Sequence, residues 1–169
     1  MEQTAIIKEL SGNRGVFKEL LTGLTIEEYL WKIKPEKWCL LEIICHLYDE
    51  EREDFRARVK HVLETPTELL PSIDPPGWVN EREYLQQSFK DILKRFLKER
   101  EQSVEWLQSL QSPKWDNAYS HPKFGQMTAK MFLSNWLAHD YLHIRQILKL
   151  KFDYLRQHTG ESLTYAGEW

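Results

Sequence analysis

What this chain lacks narrows the field before any motif is considered. It has only two cysteines, Cys39 and Cys45, six residues apart on one predicted helix. Their side chains leave that helix in different directions, so no disulfide framework is available and reduced thiols fit a cytoplasmic address. No stretch approaches the roughly 18 apolar residues of a membrane-crossing helix. The opening, MEQTAIIKELSGNRGVF, has no charged start leading into an apolar core and a cleavage site. A cytoplasmic protein without a membrane partner is therefore expected. Positive charge is not in excess either: the formal net charge is -3, and no patch of lysine and arginine is interleaved with aromatics. Nucleic acid is disfavoured as a partner on that ground. Also missing are a phosphate-cradling glycine loop, an alternating strand pattern, an internal repeat and a Ser-His-Asp arrangement.

What is present is a folded, helical composition. Hydrophobic residues make up 41% and charged residues 29% of the 169, which fits a globular chain and excludes wholesale disorder. The length suits one domain, 1–169, and is short for two. Ile6, Leu10, Phe17, Leu20, Leu21 and Leu24 recur at helical spacing and predict a first helix of about twenty residues. Gly12 and Gly15 weaken it by about 1 kcal/mol each relative to alanine. Thr25 and Glu28 read as a capping box opening a short segment that Pro35 closes. A second long helix is predicted from Cys39 to Leu63, its buried side marked by Leu40, Ile44, Leu47, Phe55, Val59 and Val62.

Glu64–Val79 carries four of the seven prolines and reads as a crossover between helices at opposite ends of a bundle. Asn80 with Glu83 gives a capping signal for a third helix running through Leu85 and Phe89 to about Leu110. Its charges from Lys90 to Glu101, Arg100 among them, read as a wet face. Ser112–Gly125 is a second long connection. The last helix is expected to begin near Gln126–Thr128, extend through Lys151–His158 and stop at Gly160. The tail ends in Tyr165 and Trp169, which are expected to dock on the bundle or on a second subunit, so a homodimer is among the expected arrangements.

The chemistry lies in that last helix. His139 and His143 in WLAHDYLHIRQI stand four residues apart, stacking two imidazoles on one face one turn apart. That spacing is a two-point metal clamp, although the same pair also occurs by chance as hydrogen-bonded boundary histidines. His46, on the flank of the second helix, is the third candidate. Three protein ligands and an open position describe a catalytic rather than a structural site. Imidazoles suit zinc, nickel, iron, copper or manganese, so this ligand set does not select one divalent ion. Asn135, Trp136 and Gln146 fall on the same stripe, a polar set that requires partners or a metal.

Two carboxylates follow His46. Glu50 stands one turn away on the same flank, as a fourth ligand, a general base, or a solvated partner for Arg52–Arg58; the solvated or supporting role is favoured. Glu51 projects nearer the centre of the apolar stripe, where a carboxylate needs an arginine or protonated histidine from a facing helix. Both are candidate catalytic residues, as proton acceptor or ligand orienter. Asp140 falls off the stripe and reads as a helix-surface or supporting acceptor. His121 could contact substrate at a site mouth.

Two segments carry a family resemblance. WCLLEIICHLYDEE, Trp38–Glu51, resembles the Trp-Ser-x-x-Glu-x-x-x-His-Leu signature of the DinB/YfiT-like proteins, with Cys39 where serine is commoner. AHDYLHIRQ, Ala138–Gln146, resembles the same family's His-Asp-x-x-His-x-x-Gln signature. The resemblance implies an all-α fold, a four-helix bundle with long crossover connections. It also implies a divalent metal site at one bundle end, with His46, His139 and His143 as ligands. The activities it implies are hydrolysis, or S-transfer and isomerisation with a low-molecular-weight thiol such as bacillithiol or mycothiol, on a small-molecule substrate. A non-catalytic bundle binding a small molecule or a protein is the competing reading.

Overall fold

The structure is a computed structural model that describes residues 1–167 and 169. Helix α1, Gln3–Leu21, is followed by the short α2, Ile26–Leu30. The capping box read from the sequence opens α2: Glu28 N–H donates to Thr25 Oγ1, and Thr25 N–H donates to Glu28 Oε2 at 2.7 Å. Helix α3, Leu40–Asp49, passes through one π-helical turn, Glu50–Phe55, into α4, Arg56–Glu64. After the short α5, Pro75–Glu81, come α6, Phe89–Ser109, and α7, Ala129–Thr159.

The long helices form the bundle. Helix α1 packs on α6 and α7, α3 packs on α6, and α4 on α7, so α1 and the α3–α4 rod occupy opposite corners. Two apolar clusters fix the chain directions. One gathers Phe17 and Leu21 with Leu40–Leu47, Phe89–Phe96, Ile147 and Leu150; the other gathers Ile6–Leu10 with Phe55–Val62, Val104, Leu107 and Ala129–Leu137. Helices α1 and α7 therefore run from the second cluster to the first, while α3–α4 and α6 run the opposite way. Only the α4-to-α6 connection has to traverse the bundle, which is the crossover expected of the proline-rich segment. Its Trp78 and Tyr84 are buried in the first cluster.

Three details differ from the sequence reading. The third helix starts at Phe89, where Ser88 accepts from Asp91 N–H. Asn80 instead lies in α5, whose cap is Asp74, and Glu83 adopts a left-handed φ of 48°. Leu85, assigned to the buried series, is 52% exposed. The second connection contains a small antiparallel hairpin, β1 Ala118–His121 and β2 Gly125–Thr128, whose four-residue strands are too short to show a period. Its turn is held by His121 Nδ1, which accepts from the backbone N–H groups of Lys123 and Phe124, and by Gly125 at a φ of 72°. Finally, Tyr165 is fully exposed, while Trp169 stacks on Phe152 with ring centroids 5.4 Å apart.

Among the described residues no helix is long and apolar enough to cross a membrane. Helix α7 ends where expected, at Gly160 with φ 66°.

Candidate metal centre

Between the two apolar clusters lies a polar band crossing the bundle at mid-length, built from α1, the π-turn region, α6 and α7. The site is in this band, not at a bundle end as the resemblance implies. Each helix changes from one apolar cluster to the other at this level, and polar side chains fill the junction.

His46 is placed by a helix start. Glu42 Oε2 accepts from Cys39 N–H at 2.9 Å and pairs with Lys32 Nζ at 2.7 Å. The residue at position 39 and Glu42 thus form the helix-opening end of the first signature, and His46 follows one turn later. His139 and His143 come from the middle of α7. Their Nε2 atoms lie 3.0 Å apart, and His46 Nε2 lies 3.2 Å from His139 Nε2. One ring nitrogen from each of the three falls within 4.8 Å of the other two.

This geometry fits one ion. Nitrogens bound at 2.0–2.1 Å to a tetrahedral centre stand about 3.3 Å from one another, and neighbouring ligands of an octahedral centre about 3.0 Å. Protein chemistry alone does not complete the cluster. Three neutral imidazoles meeting edge to edge cannot all satisfy one another: an Nε2–H of one ring can donate to the Nε2 lone pair of one neighbour, and the third Nε2 is left over. Nδ1 of His46 and of His143 is buried without a hydrogen-bond partner, an exception to the usual satisfaction of buried polar atoms.

The imidazoles are also kept uncharged. Burial lowers His46 to about 3 and His139 to about 2, with the neighbouring histidines adding to the effect. His143 is lowered by burial too, against a smaller opposing pull from Gln146 and Asp140. Trp38 lies against His46 and Phe55 against His139, with ring centroids 5.0 and 4.9 Å apart. Neutral imidazole is the ligand form, so apolar walls that prevent protonation favour metal capture.

The junction of α3 with the π turn presents three consecutive buried carboxylates, Asp49, Glu50 and Glu51. Arg56 N–H bonds back five residues to Glu51 O, widening the helix at this point. Asp49 accepts from Tyr84 Oη at 2.7 Å and pairs with Arg82 at 2.9 Å, tying the crossover to the turn. Glu50, expected to be solvated or to support a ligand, is 5% exposed, which removes the solvated alternative. Its Oε1 lies 3.9 Å from His46 Nδ1, and its side chain hydrogen-bonds Asp54, which pairs with Arg58. Burial, reinforced by Asp54, pushes its carboxyl up to about 8.

Glu51 faces away from the histidines. Both its oxygens accept from Arg100 at 2.8 Å, and Oε2 also accepts from Trp136 Nε1 at 2.9 Å. Arg100 donates in addition to Asp140 Oδ2 at 2.6 Å, Asp140 Oδ1 at 2.7 Å and Leu10 O at 3.2 Å. Asn13 completes Asp140 at 3.0 Å. The arginine expected opposite Glu51 is therefore Arg100. Arg100 and Asp140, read as surface residues, are 1% and 0% exposed. Their helical phase carried the signal: Phe96, Arg100, Ser103 and Leu107 share one stripe, as do Leu133, Trp136, Asp140 and His143.

His139 opens onto a side groove of about 590 Å³ between α4, α7 and the hairpin. Phe55, Phe124, Met127, Met131, Phe132 and Leu142 give it apolar walls, and Asp54, Arg58 and His121 supply its polar groups.

A four-helix bundle in which two helices contribute three converging, neutral histidines defines the class. The DinB superfamily profile matches residues 9–147, and the chain belongs to that superfamily. Its structure superposes on YfiT from Bacillus subtilis with a TM-score of 0.78 over 95% of this chain and 89% of that one, at 17% sequence identity. YfiT is described as a probable metal-dependent hydrolase with an unusual four-helix bundle topology. No match is found among the curated proteins.

Proposed function

We propose that His46, His139 and His143 hold one divalent metal ion and that the protein is a metal-dependent enzyme acting on a small molecule in the groove beside His139. The observation that carries this reading is the convergence of three Nε2 atoms, His139 Nε2 standing 3.0 Å from that of His143 and 3.2 Å from that of His46, while Nδ1 of His46 and of His143 is buried without a partner. YfiT's description as a probable metal-dependent hydrolase, on the same fold, supports it. A divalent ion there supplies Lewis acidity, for hydrolysis by water or for transfer to a low-molecular-weight thiol.

The chain's own residues then divide the work. His46, His139 and His143 are the ligands. Glu50, whose Oε1 lies 3.9 Å from His46 Nδ1, packs beside that ring without a direct hydrogen bond, and with Asp54 it forms a carboxyl pair that holds a proton at the groove edge. Glu51 anchors α6 and α7 through Arg100 and Trp136, which leaves it no free oxygen for substrate. Of the two candidate carboxylates, Glu50 is therefore assigned to the site and Glu51 to the scaffold. Phe124, Met127 and Met131 suit an apolar substrate part, and the Met side chains adapt to its shape. His121, with Nδ1 engaged by the hairpin turn, offers only Nε2 to the groove.

The test uses untagged protein stripped of metal and titrated with zinc, nickel, iron(II) and manganese, followed by assays with ester and amide substrates and with thiol acceptors. The reading expects about one equivalent of ion bound and turnover only in the loaded protein. Turnover unchanged by metal removal or by His139→Ala would overturn it. Stoichiometric metal with no turnover on any panel would favour the non-catalytic binding bundle.

A further inference from the structure

On another face of the bundle, between α1 and α6, lies a larger groove of about 730 Å³ that the histidine site does not use. Its floor is apolar: Leu21, Leu24, Phe89, Leu93 and Leu97, closed at one end by Tyr29, whose ring stacks on Phe89 at 4.4 Å. Its rim is cationic. Lys90, Lys94 and Lys98 repeat every four residues along α6 and span about 12 Å of helix. Arg14 and Lys18 face them from α1.

These cations are poorly matched within the chain. Glu101 is the one carboxylate lining the groove, and Arg14 pairs with it at 3.4 Å. Among the described residues Lys18, Lys90, Lys94 and Lys98 form no ion pair. Like charges one helical turn apart cost a few tenths of a kcal/mol each, in a chain whose net charge is -3. Positive charge has thus been concentrated around a hollow with an apolar floor.

We infer that this groove binds one monomeric anionic amphiphile with a single hydrocarbon chain, its head between Lys18 and Lys94 and its tail along Leu21, Leu24, Phe89 and Leu93. Size and charge decide among occupants. The volume lies within the 300–1,000 Å³ of small-molecule sites. Ten residues of an acidic helix would fill roughly 1,200 Å³, more than the groove contains. A second copy of this chain would set five cations against five. A nucleic-acid backbone would use the lysines and leave the apolar floor without a partner.

The experiment measures binding of decanoate, dodecanoate and tetradecanoate to the full chain below their micelle thresholds. Dodecyl maltoside and dodecyltrimethylammonium serve as neutral and cationic probes, and the double variant Lys18→Glu/Lys94→Glu as the altered rim. The inference expects one saturable site per chain and affinity rising about fourfold per added CH₂. The neutral and cationic probes should bind at least tenfold more weakly. The double variant should lose at least tenfold in affinity, with its thermal unfolding within a few degrees of wild type, whereas Lys60→Glu changes nothing. No saturable binding of the carboxylates, equal binding of all head groups, or a double variant that binds like wild type would overturn it. So would capture by anionic vesicles without monomer binding, which identifies a membrane surface instead.

Discussion

Two polar clusters share the middle of this bundle, and adjacent residues divide between them: Glu50 and His139 belong to one, Glu51 and Asp140 to the other. In the cluster around Arg100 the accounting closes. Its five N–H donors meet Glu51, Asp140 and Leu10 O, and the remaining acceptor capacity is taken by Trp136 and Asn13. In the histidine cluster it does not. Three Nε2 atoms converge with only one another as partners, and two Nδ1 atoms are left unpaired. A satisfied buried network organises a fold, whereas buried polar atoms left unsatisfied require an explanation, which for the histidines is the proposed metal ion. The first positions the second, since Trp136 and Asp140 fix the stretch of α7 that presents His139 and His143.

The largest effect expected from breaking this comparison is at Arg100. Arg100→Leu leaves Glu51 and Asp140 buried without a counter-charge and should destabilise the fold by about 3–5 kcal/mol, read as a lower urea midpoint with or without metal. His143→Ala should do the reverse. It removes a buried group the fold does not satisfy, so metal-free stability should change by less than about 1 kcal/mol while bound metal falls below about a tenth of an equivalent. Should the two variants behave alike, the distinction between scaffold and site fails.

Next in size is Glu50→Gln, expected to weaken metal affinity 10- to 100-fold with the fold intact, because the amide beside His46 cannot ionise when a cation binds and cannot share a proton with Asp54. Glu51→Gln should instead act on stability first.

The smallest effect is on the pH dependence of the metal-free protein. His46 and His139, held at about 3 and about 2, and His143, also lowered, stay neutral when folded, whereas the unfolded chain protonates them near 6.5. The unfolded state then binds more protons, so their contribution is present above pH 6.5 and is lost as pH falls. Glu50, pushed up to about 8, works in the opposite sense, adding stability below its unfolded value of 4.5 that is lost as pH rises through 8. Three histidines outweigh one carboxyl. Stability should fall by about 1–2 kcal/mol from pH 6.5 to about 5.5, measured by urea titration. Replacing the histidines by alanine should reverse the slope.

The same contrast explains what could be read from the chain alone. His139 and His143 were legible because a four-residue spacing has a direct meaning on a helix, and His46 because it lies on the flank of an amphipathic run and inside the first family signature. Arg100 was not, since it sits in Lys-Glu-Arg-Glu, a run that resembles any wet face until its phase with Phe96 and Leu107 is counted. Glu50 and Glu51 were both flagged, yet their separation into different clusters depends on the π turn and on side chains from two facing helices, which no local pattern encodes. The helices followed from apolar periodicity, and their arrangement as a four-helix bundle from the resemblance carried by the two signatures. The start of α6 did not, because Asn80 and Glu83 match a capping signal that Asp74 and Ser88 supply in fact.

The most direct test of the central claim is anomalous diffraction from crystals of the untagged protein grown with a divalent transition metal. One peak about 2.0–2.3 Å from Nε2 of His46, His139 and His143 alike, absent in His139→Ala, is the predicted result. Ring nitrogens too far apart to share an ion, or a peak elsewhere with none among these three, would contradict it.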